Sequence, residues 1–176
     1  MSRTNPYKKK RRQANKTLLL FGEGFGEAMF LKHLKSLYSY NSNVAITVRK
    51  GKGGNAQDII VDADRVPGAF DRRMAVLDND KTKMEMAKAR QEAKNRGIGL
   101  IETTPCLEFL LITILDKQPS GKNSNWCKGE FESKYLGKKK RGDPSEYAKL
   151  FPKKSLDAKR LKISELNKLI LIIEGK

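Results

Sequence analysis

This chain of 176 residues is poor in the side chains that most often carry metal and redox chemistry, with one histidine and two cysteines. His33, alone, excludes a nuclease mechanism built on histidine pairs, and no Cys/His spacing reads as a zinc site. Cys106 and Cys127 cannot make a disulfide framework, so a reducing, cytoplasmic setting fits best. Long apolar runs are also missing. A spanning helix needs roughly 20 such residues in a row, which excludes a membrane-spanning protein. The first residues are basic but no uninterrupted apolar stretch follows them, so a secretory leader is not expected. Acid is scarce against base, with 20 Asp and Glu facing 37 Lys and Arg for a net charge of +17.

What is present is unevenly placed. Residues 1–16 carry seven Lys and Arg and no acid, residues 17–116 are nearly balanced at +1, and residues 117–176 carry +9. The expected organisation is a basic tail over 1–16, an α/β core over 17–116 and a basic C-terminal extension over 117–176 packed on that core. Lys8, Lys9, Lys10, Arg11 and Arg12 form one dense run, and Lys138, Lys139, Lys140 and Arg141 form another. Such runs repel themselves until a polyanion neutralises them. Two runs flanking a neutral core point to a nucleic-acid partner, RNA or DNA, more than to evenly spread solubilising charge. No lipidation motif or amphipathic anchor accompanies them, so no membrane partner is expected.

Along the core, apolar β-rich runs alternate with helical patterns. Strands are predicted over residues 17–21, 44–48, 73–77 and 98–102, and helices over 26–38, 56–65, 82–96 and 105–115, the last opened by Pro105. Alternation with short connections predicts a parallel sheet flanked by helices, an α/β fold. Beyond it, residues 118–142 read as irregular. Residues 146–150 and 155–166 read as helices, and 169–173 as a last strand.

Functional groups in open parallel sheets gather beyond the carboxyl ends of the strands. Glu23 follows the first strand, with Glu27 one turn into the helix, and Asp78 and Asp80 follow the third. If those strands are neighbours, three carboxylates share one volume and need a cation to remain ionised together. Hard oxygen donors of this kind suit Mg²⁺ or Mn²⁺, which can activate water against a phosphodiester. The bland alternative is ordinary acidic turn chemistry. Gly22-Glu23-Gly24-Phe25-Gly26 lacks the third glycine of a dinucleotide loop, because position 27 is Glu27, and no G-x-x-x-x-G-K-[ST] phosphate loop exists.

Glu23-Gly24-x-x-Glu27 after a first strand, with Asp78-x-Asp80 after a later one, resembles the TOPRIM (topoisomerase–primase) domain. Gly51-Lys52-Gly53-Gly54 and Thr104-Pro105-Cys106-Leu107-Glu108 complete an ordered set similar to the RloB-like branch, which carries Asn-Pro-Cys-Phe-Glu at the last position. The likeness covers roughly residues 17–116. It implies a central parallel sheet and Mg²⁺ held by Asp78 and Asp80. Glu23 would be a metal ligand or general acid/base, with Glu27 and Glu108 as weaker candidates that touch metal or orient a ligand. It also implies kinship with OLD-type nucleases and with proteins encoded beside restriction and phage-defence loci, so a partner protein in a defence system is one expectation. Lys81 stands where an acid is usual and Thr104 where Asn is usual. Lys81 is placed either to lower the charge at a second metal or to contact phosphate.

Among the remaining residues, Lys50 and Lys52 either contact phosphate or sit in a plain turn. His33 and Cys106 read as structural. Trp126 reads as a cap on the core, with base stacking as the alternative, and Tyr135 and Tyr147 stand in no nucleophile context. The expected activity is metal-dependent phosphodiester hydrolysis by Glu23, Asp78 and Asp80. The competing expectation is a non-catalytic nucleic-acid-binding or ribonucleoprotein module. Nucleotidyl transfer would need a triphosphate site that no motif supplies.

Overall fold

Four parallel strands form one sheet in the order β2-β1-β3-β4. They are β1 (Lys16–Gly22), β2 (Val44–Lys50), β3 (Arg72–Asp78) and β4 (Gly99–Thr103). The computed structural model describes residues 16–40, 42–137 and 139–176. Lys8, Lys9, Lys10, Arg11, Arg12 and Lys138 lie outside the described residues. Helices α1 (Phe25–Tyr38), α2 (Ala56–Arg65) and α3 (Lys83–Asn95) make the crossovers between successive strands. Then come α4 (Leu107–Ile114), α5 (Ser124–Lys134), α6 (Pro144–Leu150), α7 (Lys153–Arg160) and α8 (Ser164–Ile173).

Both faces of the sheet are covered, which explains why the strands are apolar runs instead of alternating ones. Leu18, Leu20, Val48, Met74, Val76 and Ile101 pack on one face with α1, α4 and the C-terminal helices. Phe21, Ala75 and Leu77 pack on the other with Ile59, Ile60 and Ala63 of α2 and Met86 and Ala89 of α3. The chain therefore leaves β1 on one side and β3 on the other. The gap between those adjacent strands is the topological switch point, where a crevice forms. No helix of the described residues is long and apolar enough to cross a membrane.

Four sequence expectations are corrected. Residues 169–173 are helical: Leu166, Leu169, Ile170 and Ile173 are all buried at helical spacing on α8, and this period outweighs the β-branched content. The stretch read as irregular contains α5, whose Asn123 side chain accepts from Trp126 N–H at 2.9 Å and whose Cys127 and Phe131 are buried. The helix expected over 155–166 is two, α7 and α8, with Leu161 84% exposed where they part. Pro105 also lies outside α4: it follows a cis Thr104–Pro105 bond, and Cys106 is the cap.

Candidate functional site

The site begins with a register. Gly22 pairs with Val76, so β3 runs two residues further and Asp78 stands beside the turn at Glu23. Glu23 N–H donates to Val76 carbonyl at 3.1 Å, and Asp78 N–H donates to the Glu23 carboxylate at 3.1 Å. Glycine is required just before: a Cβ at Gly22 would lie 2.6 Å from Glu27 Cβ and 2.9 Å from Ala28 N. The first turn of α1 thus presses directly on the end of β1. A second glycine segment locks Glu23 from the β2 side. Gly53 N–H donates to Glu23 carbonyl at 3.1 Å, and Gly53 and Gly54 have φ of 74° and 120°, which a side chain would strain.

Asp78 is 3% exposed. One carboxylate oxygen accepts from Thr103 Oγ1 at 3.0 Å and from Leu107 N–H, at the start of α4, at 2.8 Å. Its other oxygen faces Lys128 Nζ at 3.1 Å, and the same ammonium lies 3.1 Å from Asp80. Lys81 Nζ stands 3.4 Å from Glu23 and 3.8 Å from Asp80. Three carboxylates at the ends of two strands are therefore joined by two ammoniums. Burial pulls the Lys128 pKa down, but the charges of Asp78 and Asp80 outweigh it and leave the group firmly protonated. Burial raises the Glu23 carboxyl, partly offset by the Asp78 N–H and Lys81.

Around this cluster lies a cleft of about 380 Å³ lined by Glu23, Glu27, Asp78, Glu108 and Glu132 against Lys128 and Arg141. Acid dominates here in a chain whose net charge is +17. Glu27 accepts from Gly24 N–H at 2.9 Å, satisfying a free donor at the start of α1. Burial, then the charge of Asp78, pushes its carboxyl up to about 7. Glu108, in the first turn of α4, is raised by burial, and its buried Oε2 has no hydrogen-bond partner among the described residues. Tyr147 closes the cleft, its phenol pushed up to about 12 by burial and then by Glu27.

The structure thus brings together Glu23, Asp78, Asp80, Glu27 and Glu108, the five acids singled out in the sequence. Among the described residues, no three His, Cys, Asp or Glu side chains stand together as a ready metal-ligand set. The reason is visible in the contacts: one Asp78 oxygen is committed to Thr103 and Leu107, and Lys128 occupies the space between its other oxygen and Asp80. In kind these oxygen donors suit a hard cation: a positive group already sits among them, and Glu108 Oε2 has no hydrogen-bond partner among the described residues.

Of the basic residues, Lys81 belongs to the acid cluster and Arg141 to the cleft wall. Lys50 and Lys52 are exposed beside the cleft, Lys139 is exposed, and Lys140 pairs with Glu146 at 3.5 Å. His33 is buried against Phe151 carbonyl at 2.8 Å, and burial lowers its pKa, in keeping with a structural role. Cys106 is fully buried, its thiol pushed up to about 12 by burial, so it is no nucleophile. Trp126 does not cap the core: it is 38% exposed with Lys122 Nζ 5.2 Å over its ring, and Cys127 takes the inward place. Lys128 and Glu132 escaped the sequence reading. Their signal was an i, i+4 pair beside the Cys127 and Phe131 stripe of an unrecognised helix.

No family model matches this chain, and neither a curated protein nor a solved structure is detectably similar to it.

Proposed function

We propose that the protein is a metal-dependent nuclease of TOPRIM-like type, close to the RloB-like branch, hydrolysing phosphodiester bonds in RNA or DNA. One observation carries this reading: from the carboxyl ends of two adjacent parallel strands Glu23 and Asp78 meet in an acid cleft of a basic protein, and Lys81 and Lys128 tie Asp80 to both. Glu23, Asp78 and Asp80 would hold Mg²⁺ or Mn²⁺, with Glu108 beside them and Glu27 orienting. Such an ion polarises a phosphoryl oxygen and lowers the pKa of bound water.

The chain's own groups supply the rest. Thr103 and Leu107 N–H fix one edge of Asp78, leaving the other edge to the cleft. Asp78 N–H aims the Glu23 carboxylate. Lys81 and Lys128 neutralise the acids at rest and are placed to meet phosphate oxygens when substrate arrives. Glu27, with a pKa of about 7, holds a proton near neutrality inside the cleft. A place in phage defence or a mobile-element system, with a partner protein, follows from the family resemblance alone.

A second reading, a non-catalytic nucleic-acid-binding or ribonucleoprotein module, is favoured by one fact: Lys81 and Lys128 already satisfy the three carboxylates. Cleavage of labelled RNA and DNA in Mg²⁺, Mn²⁺ or EDTA separates the two. Asp78→Asn, which keeps the shape of a buried side chain, and Asp80→Ala are each expected to lose at least about a hundredfold in rate, since even groups behind a metal ligand are worth 10–100-fold. Metal-independent products, or undiminished cleavage by both variants, would sink the nuclease.

A further inference from the structure

Among the described phenylalanines, Phe25 is the exposed one. Its ring is 42% exposed, whereas Phe21, Phe30, Phe131 and Phe151 are 5% exposed or less. It opens α1 two residues after Glu23, so its Cα lies within about 7 Å of that of Glu23 along the chain. Gly24 and Gly26, on either side of it, line the acid cleft. Lys50 Nζ lies 5.6 Å from the ring centroid. On another side runs the loop after Arg141, where a Cβ at Gly142 would lie 3.7 Å from Phe25 Cζ, so a residue without a side chain borders the ring. An exposed apolar ring beside the cleft, with the Lys50 ammonium against it, pairs a stacking surface with a cation for an adjoining phosphate.

We infer that Phe25 is a stacking platform for an unpaired nucleobase, so that the substrate at this cleft is single-stranded. This rests on the nucleic-acid reading of the same site and specifies it. A base inside a duplex has both faces covered by its neighbours and cannot offer one to a protein ring without leaving the stack. Lys50 then follows the strand, its ammonium moving from the ring to a phosphate. Phe25 selects unpaired substrate through contact with a base, while the carboxylates act on the backbone two residues away.

The test is equilibrium binding in EDTA, where no cleavage interferes. Fluorescence anisotropy would compare labelled single strands of about 12 nucleotides, RNA and DNA in separate arms, with matching duplexes. Phe25→Ala is expected to weaken single-strand binding between about fivefold and about a hundredfold, while Phe25→Tyr stays within about twofold of wild type. Duplex affinity should not change. Moving one abasic residue along the strand should cost wild type affinity at one position and cost Phe25→Ala nothing there. Equal single-strand affinities for wild type and Phe25→Ala overturn the platform, as does an equal loss for duplex. Failure of wild type to bind any strand overturns the nucleic-acid reading and the platform with it. Phe25-dependent binding with no metal-dependent products would overturn the nuclease alone and leave the platform standing.

Discussion

Glu27 shows what the site costs at the scale of one residue. Its carboxyl is 7% exposed and faces Asp78, so the folded protein holds its proton up to about pH 7, far above an ordinary glutamate. The folded state therefore binds this proton more tightly than the unfolded chain. Stability from this group is full below the unfolded pKa of about 4.3 and is lost as pH rises through about 7. Glu27→Gln removes the titration while its amide oxygen can still accept from Gly24 N–H. The variant should be more stable than wild type at about pH 8, by on the order of 3 kcal/mol, and nearly equal at about pH 4. Urea denaturation at the two pH values reads this directly. Parallel pH profiles for the two proteins would show that Glu27 does not carry the burden.

At the scale of elements, the contact between β1 and α1 sets the carboxylates. A methyl at Gly22 would meet Glu27 Cβ at 2.6 Å and backbone Ala28 N at 2.9 Å, and backbone cannot step aside as a flexible side chain can. Gly22→Ala should cost about 1–3 kcal/mol or more, as overpacking does, and should displace Glu23 from Asp78 N–H. Thermal melting and cleavage would both fall; a variant that melts and cleaves like wild type would contradict the tight packing. Such contacts also explain what the sequence made legible. The four strands and α1 to α3 stand out because both sheet faces are buried, leaving apolar runs, and because Asn55 and Thr82 mark helix starts. Strand-end acids were readable for the same reason. In α5, only Cys127 and Phe131 turn inward beside Ser124, amid Gly, Asn and Lys, so no apolar stripe announces it. In α8, the run of Leu and Ile hid a helical period behind β-branched composition. Lys128 was invisible as a site residue because it comes from that unmarked helix, 48 positions from Asp80.

The whole molecule sets acid against base on a large scale. On the proposed reading a chain of +17 attracts nucleic acid from a distance, and because the cleft is lined mainly by carboxylates the basic surroundings, not the cleft floor, would hold the backbone. Binding of a single strand should then weaken by at least tenfold between about 50 and about 200 mM salt, as counterion release requires. Anisotropy titrations at a few salt concentrations check it, and a flat response would mean that the charge is only solubilising. The molecule is also joined across its length: Phe131, Tyr147, Phe151, Leu156, Leu169 and Ile173 share one core with Leu20 of β1 and Leu34 of α1. That arrangement has a consequence for synthesis. As the chain leaves the ribosome, Glu23, Asp78, Asp80 and Glu108 emerge before Lys128 and Arg141. Until α5 to α8 arrive, the carboxylates lack the Lys128 counter-charge and the core on that face of the sheet has only α1 and α4. The same late helices thus supply both the rest of that hydrophobic core and the Lys128 counter-charge to Asp78 and Asp80.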